Sequence, residues 1–246
     1  MINLFCFPFA GGASNIYRTW EGNLPKDVRV VALDLPGRGR YFGKPLLSTM
    51  DEVVNHFICE VKSQSGDGIN VFFGHSMGAI VAYEVAKKLQ STDDFYIDSM
   101  IVSGHHSPFV VRNNKGFHKM TDKALIAELR RLGGTPEAVL KDRDLLELFL
   151  PNIRADFKVL ENYLCDEKVT LDIPLFVCRG EQDPEMSKDQ MKGWEDVTSA
   201  NVSYREFSGD HFYLTKQDEQ LFDWIYKCLS LGRQPDVELS IESTVA

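Results

Sequence analysis

The amino-acid sequence predicts an α/β fold in which a mostly parallel central sheet is flanked by helices. Six short runs rich in β-branched and aromatic residues alternate along the chain with segments of helical periodicity. Most of these runs are apolar on both faces, which is typical of parallel strands that are covered by helices on either side. The runs lie at residues 3–9, 28–33, 71–73, 100–103, 175–178 and 202–207, and the clearest helices are expected at 51–63, 77–90 and 218–231.

The length and composition fit one soluble domain over residues 1–246. The 246 residues are 43% hydrophobic and 26% charged, which is ordinary for a globular protein. A net charge of −9 opposes nonspecific nucleic-acid binding, because such binding requires a basic surface. The last segment, 234–246, is polar with few large apolar groups, and we expect it to be frayed.

The sequence also argues against a membrane span, a secretory leader and a metal site. It contains no stretch of about 18 to 20 apolar residues, and Met1 is not followed by a basic region and a cleavage site. The five cysteines are odd in number, scattered and never paired as C-x-x-C, which opposes a disulfide framework or a zinc site. We therefore expect a cytoplasmic protein with reduced cysteines.

The alternation of strands and helices breaks between about residues 107 and 163. This segment has a mostly helical pattern and few strand formers, so we predict a helical lid inserted between two strands. Its last part repeats apolar residues at helical spacing over 145–149, and Pro151 is expected to interrupt that run. A mobile cover over a substrate and a static pair of packed helices both fit this pattern.

The segment Gly74-His75-Ser76-Met77-Gly78 joins an apolar, strand-like run to a helix-like run. A G-x-S-x-G sequence at such a corner is typical of a nucleophile elbow, in which the serine projects into open space and the glycines allow close backbone approach. The pattern predicts Ser76 as a nucleophile. The alternative is an ordinary glycine-rich turn.

A serine hydroxyl is a poor nucleophile at neutral pH, so Ser76 needs a base within hydrogen-bond reach. The chain offers six histidines. His211 is predicted as the base because it follows the strand at 202–207 and a short loop, where α/β-hydrolases carry theirs. A lone loop histidine is otherwise a common surface residue, so this assignment depends on its position after the elbow.

The base in turn needs a carboxylate that orients its ring. Asp183 is predicted for this role because it ends the turn after the strand at 175–178, and Glu181 and Asp210 are its competitors. The resulting order of serine, aspartate and histidine is that of α/β-hydrolases and differs from the orders in other serine hydrolase folds. The predicted fold is therefore an α/β-hydrolase.

A tetrahedral oxyanion needs backbone N–H donors that are in place before the reaction. One donor normally belongs to the residue after the nucleophile, here Met77. The second is expected from the loop at 8–12, in which Phe9 and Ala10 are candidates and Ala10 is favoured. A plain glycine turn is the alternative.

Six motifs between residues 7 and 212 resemble those of a known family, and the similarity extends over about residues 4 to 229. They are Phe7-Pro8-Phe9-Ala10-Gly11-Gly12, Asp34-Leu35-Pro36-Gly37-Arg38-Gly39, Gly74-His75-Ser76-Met77-Gly78, Leu132-Gly133-Gly134-Thr135-Pro136, Leu150-Pro151-Asn152-Ile153-Arg154-Ala155-Asp156-Phe157 and Gly209-Asp210-His211-Phe212. Together they resemble the type II thioesterases, which are stand-alone α/β-hydrolases that accompany nonribosomal peptide and polyketide synthases.

The resemblance implies hydrolysis of misloaded or stalled acyl groups from the phosphopantetheine arm of a carrier protein. It implies that Ser76, Asp183 and His211 form the catalytic triad and that the Ala10 and Met77 amides donate to the oxyanion. The expected reaction passes through an acyl-serine intermediate and requires no metal or other cofactor. We expect a monomer whose partners are acyl or peptidyl carrier domains.

Arg112, Lys115 and Lys119, near the start of the predicted lid, are candidates for docking an acidic carrier protein. On composition alone, a solvated loop is the commoner explanation of such cations. Three other functions remain open at this point: a small-molecule esterase or peptidase of the same fold, a noncatalytic binding module, and a thioesterase that releases a finished product.

Overall fold

One six-stranded sheet forms the centre of the computed structural model, which describes residues 1–92, 94–110, 115–216 and 218–231. Its strands are β1 (Ile2–Phe7), β2 (Val28–Ala32), β3 (Ile69–His75), β4 (Ser99–Ser103), β5 (Leu175–Gly180) and β6 (Val202–Phe207). They are ordered β2-β1-β3-β4-β5-β6, and each neighbouring pair is parallel. The predicted fold class is confirmed. Arg112 and the tail 234–246 lie outside the described residues.

Helices connect the strands and cover both faces of the sheet. The α-helices within the described ranges are α1 (Asn15–Arg18), α2 (Met50–Gln64), α3 (Met77–Gln90), α4 (Asp122–Leu132), α5 (Glu137–Lys141), α6 (Arg143–Asn162), α7 (Lys188–Met191) and α8 (Glu219–Leu231). The three helices predicted most clearly correspond to α2, α3 and α8. Across this part of the chain, no helix has the length and apolar character needed to span a bilayer.

Local signals in the sequence set where the helices begin and end. The Thr49 hydroxyl accepts a hydrogen bond from the Glu52 amide at 3.2 Å, and the Glu52 carboxylate accepts one from the Thr49 amide at 3.0 Å. This reciprocal pair is a capping box, and it starts α2. At the end of α4, Gly133 has a φ of 86°, a left-handed conformation that glycine adopts without a Cβ clash.

Alternate side chains of the central strands enter two different cores. In β1, Phe5 and Phe7 pack into the core formed with α2 and α3, whereas Leu4 and Cys6 pack into the core that contains α8 residues. Because helices bury both faces of the sheet, its inner strands carry apolar residues at successive positions instead of alternating with polar ones. This two-sided burial explains the continuous apolar runs in the sequence.

The helices α4, α5 and α6 lie between β4 and β5 in the chain and form a third, smaller core. Their buried side chains are Leu125, Leu129, Leu132, Leu140, Leu150, Ile153 and Phe157. Phe9 and Phe212, which follow β1 and β6, pack into the same cluster. The helical insertion therefore covers the edge of the sheet at which the parallel strands end.

Pro151 lies inside α6, so the prediction that it interrupts the helical run is wrong. Proline removes one backbone donor, which frees the carbonyl of Glu147, and both residues are exposed, so water can satisfy that carbonyl. On the buried side, Leu150 and Ile153 pack into the third core on either side of the proline. Continuous burial of this apolar face therefore outweighs the local cost of the proline.

Candidate active site

Ser76 occupies a sharp corner between β3 and α3. Its φ of 53° and ψ of −120° make it the one non-glycine residue with a positive φ in the described ranges. Such a conformation is unfavourable for a residue with a Cβ, and it persists where the surroundings impose it. The Ser76 amide donates to the Ser103 carbonyl oxygen at 2.8 Å, which ties the corner to the end of β4.

The two glycines of the corner are required by close backbone contact. A Cβ at Gly74 would lie 2.1 Å from the Gly78 carbonyl oxygen, and a Cβ at Gly78 would lie 2.4 Å from the Phe7 carbonyl oxygen. These spacings exclude any side chain at either position. The segment therefore has the geometry of a nucleophile elbow, in which the serine faces away from the sheet.

The two loops that follow β5 and β6 bring Asp183 and His211 together. His211 Nδ1 and Asp183 Oδ2 are 2.8 Å apart, and both side chains are buried. The second oxygen, Asp183 Oδ1, accepts the Glu185 amide at 2.8 Å. Because both carboxylate oxygens have hydrogen-bond partners, the Asp183 side chain is held in a fixed position beside the imidazole.

The competing carboxylates occupy different environments. Asp210 Oδ1 accepts the Phe212 amide at 3.0 Å, so this side chain shapes the turn that carries His211. Glu181 is exposed to solvent. Of the three predicted candidates, Asp183 is the one whose carboxylate contacts the His211 ring.

Backbone contacts hold the two loops in register. The Glu181 amide donates to the Phe207 carbonyl at 2.8 Å, and the Gln182 amide donates to the Gly209 carbonyl at 2.9 Å. A Cβ at Gly180 would lie 2.1 Å from the Asp210 carbonyl oxygen, so the loops approach too closely for a side chain there. The dyad geometry thus depends on main-chain packing at the ends of β5 and β6.

The remaining histidines have other partners. His56, His105, His106 and His118 contact respectively the Asp34 carbonyl, the His106 carbonyl, the Ser107 carbonyl and the Glu161 carboxylate. His75 is fully buried with its ring centroid 4.8 Å from that of His211. Burial, and then the neighbouring His211, lower the pKa of His75 well below its usual range. His75 therefore stays neutral and adds no positive charge beside His211.

Ser76 and His211 line a common cavity of about 410 Å³ beneath the helical insertion. Most of its wall is apolar and is contributed by Phe9, Ile16, Leu129, Leu132, Phe149, Ile153, Phe157 and Phe212. This volume and lining are typical of a pocket for a small, mostly apolar ligand that a few polar groups orient.

The two predicted oxyanion donors are adjacent to Ser76 in the chain or line its cavity. Met77 is the first residue of α3, and the first amides of a helix have no acceptor within it. Ala10 lines the cavity. The next two amides of its loop point elsewhere, because Gly11 donates to Asp156 Oδ2 at 2.7 Å and Gly12 donates to the Phe9 carbonyl at 2.8 Å.

Comparison with known proteins identifies the family to which this chain belongs. The sequence profile described as "Thioesterase domain" matches residues 2–229. The chain belongs to the thioesterase family. Thioesterase PikA5 of Streptomyces venezuelae is 33% identical to it over 239 residues, covering 97% of this chain and 85% of PikA5.

Solved structures agree with this assignment. ClbQ from the colibactin NRPS/PKS pathway has a TM-score of 0.88 at 27% identity, covering 94% of this thioesterase and 98% of ClbQ. The type II thioesterase BorB from the borrelidin biosynthetic cluster has a TM-score of 0.84 at 30% identity, covering 93% and 92% of the two chains. The predicted resemblance to type II thioesterases is confirmed.

Behind the site of this thioesterase is a buried polar chain that sequence reasoning missed. His75 Nδ1 and Ser103 Oγ are 2.8 Å apart, Ser103 Oγ and the Tyr213 hydroxyl 2.9 Å, and that hydroxyl donates to Cys178 Sγ at 3.1 Å. Burial raises the pKa of Cys178 to about 12 and that of Tyr213 well above its usual value, so both stay protonated. These residues lie in or after four different strands, so no local spacing pattern links them.

Gly104 is a second missed residue, and replacing it with alanine should impair catalysis. Its φ is +63°, and a Cβ there would lie 2.6 Å from His75 Cε1 and 3.2 Å from His211 Cε1. Since both rings are buried, we expect Gly104→Ala to displace His211 and lower kcat on a small acyl thioester roughly 10- to 100-fold. Gly43→Ala is the matched control, because Gly43 has a φ of +81° with no atom within 4 Å. If kcat fell equally in the two variants, the effect would be due to backbone strain alone and not to displacement of His211.

Proposed function

We propose that this thioesterase hydrolyses acyl thioesters from the phosphopantetheine arm of carrier proteins and removes misloaded or stalled acyl groups from a nonribosomal peptide or polyketide synthase. The observation that carries the proposal is the convergence of three features on one apolar cavity: the strained serine corner, the His211–Asp183 hydrogen bond and the Ala10 loop. The similarity to PikA5, ClbQ and BorB supports the choice of substrate.

In the proposed acylation step, Ser76 Oγ attacks the thioester carbonyl carbon. His211 Nε2 accepts the serine proton while its Nδ1–H donates to Asp183, whose negative charge stabilises the imidazolium. The Ala10 and Met77 amides donate to the carbonyl oxygen as it becomes negative. Collapse of the tetrahedral intermediate breaks the C–S bond, and His211 returns the proton to the departing thiolate.

In the proposed deacylation step, a water molecule attacks the acyl-Ser76 ester. His211 accepts a proton from the water and then gives it to Ser76 Oγ as the carboxylic acid leaves. These transfers balance without a metal or a redox cofactor. Because a thioester has weak resonance stabilisation and a good leaving group, a cavity that contacts the acyl chain mainly through apolar walls is adequate for several substrates.

The proposal also concerns the surface residues that would contact the carrier protein. Lys115 forms an ion pair with Glu185 at 2.6 Å, and Lys119 is exposed near the start of the helical insertion. An overall charge of −9 opposes long-range attraction of an acidic carrier, so docking would depend on local contacts. We retain Lys119 as a candidate for such a contact. Lys115 would contribute only by exchanging partners.

The test is deacylation of a carrier protein followed by intact-mass spectrometry. Carrier loaded with acetyl or octanoyl phosphopantetheine is incubated with the wild type or with Ser76→Ala, and the corresponding oxygen esters are assayed in parallel. We expect loss of acyl mass with the wild type alone, and the ratio of the two rates would report chain preference. Hydrolysis of the oxygen esters without the carrier thioesters would overturn the proposal in favour of a small-molecule esterase. Release of full-length product that depends on this protein in a reconstituted synthase would instead favour product release.

A further inference from the structure

The loop that carries Ala10 is held by side chains from two distant parts of the chain. Asp156 of α6 accepts the Gly11 amide at 2.7 Å, and Arg38 Nη1 donates to the Gly12 carbonyl oxygen at 3.0 Å. Two residues later, Asp34 accepts the Ser14 amide at 2.7 Å. Three main-chain groups within four residues after Ala10 are therefore held by charged partners, which form strong and directional hydrogen bonds.

Arg38 and Asp156 also form a bidentate ion pair. Arg38 Nη1 lies 2.6 Å from Asp156 Oδ2 and Arg38 Nη2 lies 2.7 Å from Asp156 Oδ1. The two side chains are 7% and 6% exposed, so water screens the pair weakly. Because desolvation offsets much of the attraction in a buried ion pair, such a pair contributes little net stability compared with apolar residues of similar size. The contribution of the Arg38–Asp156 pair is therefore to fix the positions of the Gly11 and Gly12 main-chain groups.

That geometry bears directly on the oxyanion donor. The Gly11 amide and the Ala10 carbonyl belong to one planar peptide group, so fixing the Gly11 N–H restricts the backbone rotation that orients the preceding Ala10 N–H. The helix α6 also packs against the loop, since a Cβ at Gly11 would lie 2.7 Å from Ile153 Cγ1. An oxyanion donor is effective only when it is oriented before charge develops.

We propose that Arg38 and Asp156 are positioning residues for the oxyanion hole: they hold the Ala10 N–H toward the substrate oxygen and fasten α6 to the loop throughout the reaction. The inference rests on the proposed role of Ala10. It gives a chemical reason for two of the diagnostic motifs, residues 34–39 and 150–157, that the triad leaves unexplained. It also implies that the part of α6 around Asp156 stays fixed against the Ala10 loop and does not move as a lid.

The test separates positioning from folding by removing both charges together. Arg38→Met leaves a buried carboxylate without its cation and should destabilise the fold. The double variant Arg38→Met with Asp156→Leu removes that unpaired charge, so its Tm should be closer to the wild-type value. Both Gly11 and Gly12 still lose their partners, so we expect kcat on octanoyl-N-acetylcysteamine to remain about 10- to 100-fold below the wild type, with KM changed less than threefold.

A tetrahedral inhibitor supplies a readout that a purely structural role would not change. Octylboronic acid forms a tetrahedral adduct with the serine. Its inhibition constant should therefore rise in the double variant by about the same factor by which kcat falls. Glu84→Gln is the matched control, because Glu84 is a buried carboxylate that binds Lys87 at 2.7 Å and Tyr163 at 2.6 Å away from the cavity of Ser76. This control should lower the Tm and leave kcat and boronate inhibition unchanged.

Two results would overturn the inference. One is a double variant with kcat within twofold of the wild type; the other is a loss confined to KM while boronate inhibition is unchanged. Because the substrate is a small thioester, the outcome is independent of whether carrier proteins are the natural substrate. Failure of carrier deacylation and failure of oxyanion positioning are thus distinguishable.

Discussion

Replacing Ser76 by alanine is expected to lower the turnover of acyl thioesters by about 10⁴- to 10⁶-fold. The hydroxyl is the attacking group in the proposed reaction, and neither His211 nor the oxyanion donors can substitute for it in forming an acyl-enzyme. The measurement is kcat on octanoyl-N-acetylcysteamine under saturating substrate, together with a search by mass spectrometry for an acylated protein. The alanine variant should give no acylated species.

The conformation of Ser76 provides a control for the fold. Since its φ of 53° is unfavourable for any residue with a Cβ, Ser76→Gly should be as inactive as Ser76→Ala but more stable. Relief of roughly 1 kcal/mol of strain corresponds to a Tm about 2 to 4 °C above that of the alanine variant. Inactive variants with intact folds would exclude a folding defect. A loss of turnover below tenfold would instead contradict the role of Ser76 as the nucleophile, and a wild type without turnover would favour a noncatalytic binding module.

Replacing Asp183 by asparagine is expected to lower kcat by about 10³- to 10⁴-fold. The amide has nearly the same shape as the carboxylate, but it carries no charge to stabilise the imidazolium and can impose the wrong tautomer on His211. The buried 2.8 Å contact between Asp183 Oδ2 and His211 Nδ1 makes this charge local and poorly screened. KM should change little, because the carboxylate lies behind the imidazole.

Asp210→Asn is the matched control for this prediction. Asp210 adjoins His211 in sequence, but its Oδ1 accepts the Phe212 amide at 3.0 Å, a bond that the asparagine oxygen can keep. We expect the control variant to retain kcat within about threefold of the wild type. If Asp210→Asn were the more damaging substitution, the carboxylate role would have to move from Asp183 to Asp210.

Several features were predictable because they depend on local sequence. The six strands followed from apolar, β-branched runs, since helices cover the sheet on both faces. The corner at Ser76 followed from Gly74 and Gly78, because close main-chain approach excludes a side chain at either site. Asp183 and His211 were predicted because each follows a late strand and a short turn or loop, and the structure pairs those two strands in parallel.

Other features were predicted incompletely or incorrectly. Pro151 was expected to interrupt its helical run, but burial of Leu150 and Ile153 keeps α6 continuous. The mobility of the insertion was left open, and the contacts of Asp156 with Gly11 and Arg38 now tie one part of it to the loop after β1. Both outcomes depend on packing between elements, which a local pattern does not encode.

The sequence by itself determined the six strands of this thioesterase, its three clearest helices and the three residues proposed for the triad. Hydrophobic periodicity, glycine spacing and chain order act locally or through simple strand topology. Tertiary structure alone decided how those residues are supported. Arg38 and Asp156 are 118 positions apart, and Ser103 and Tyr213 are 110 apart. Such pairs meet only when the whole sheet and its helical cover have formed, so their geometry is a property of the folded chain.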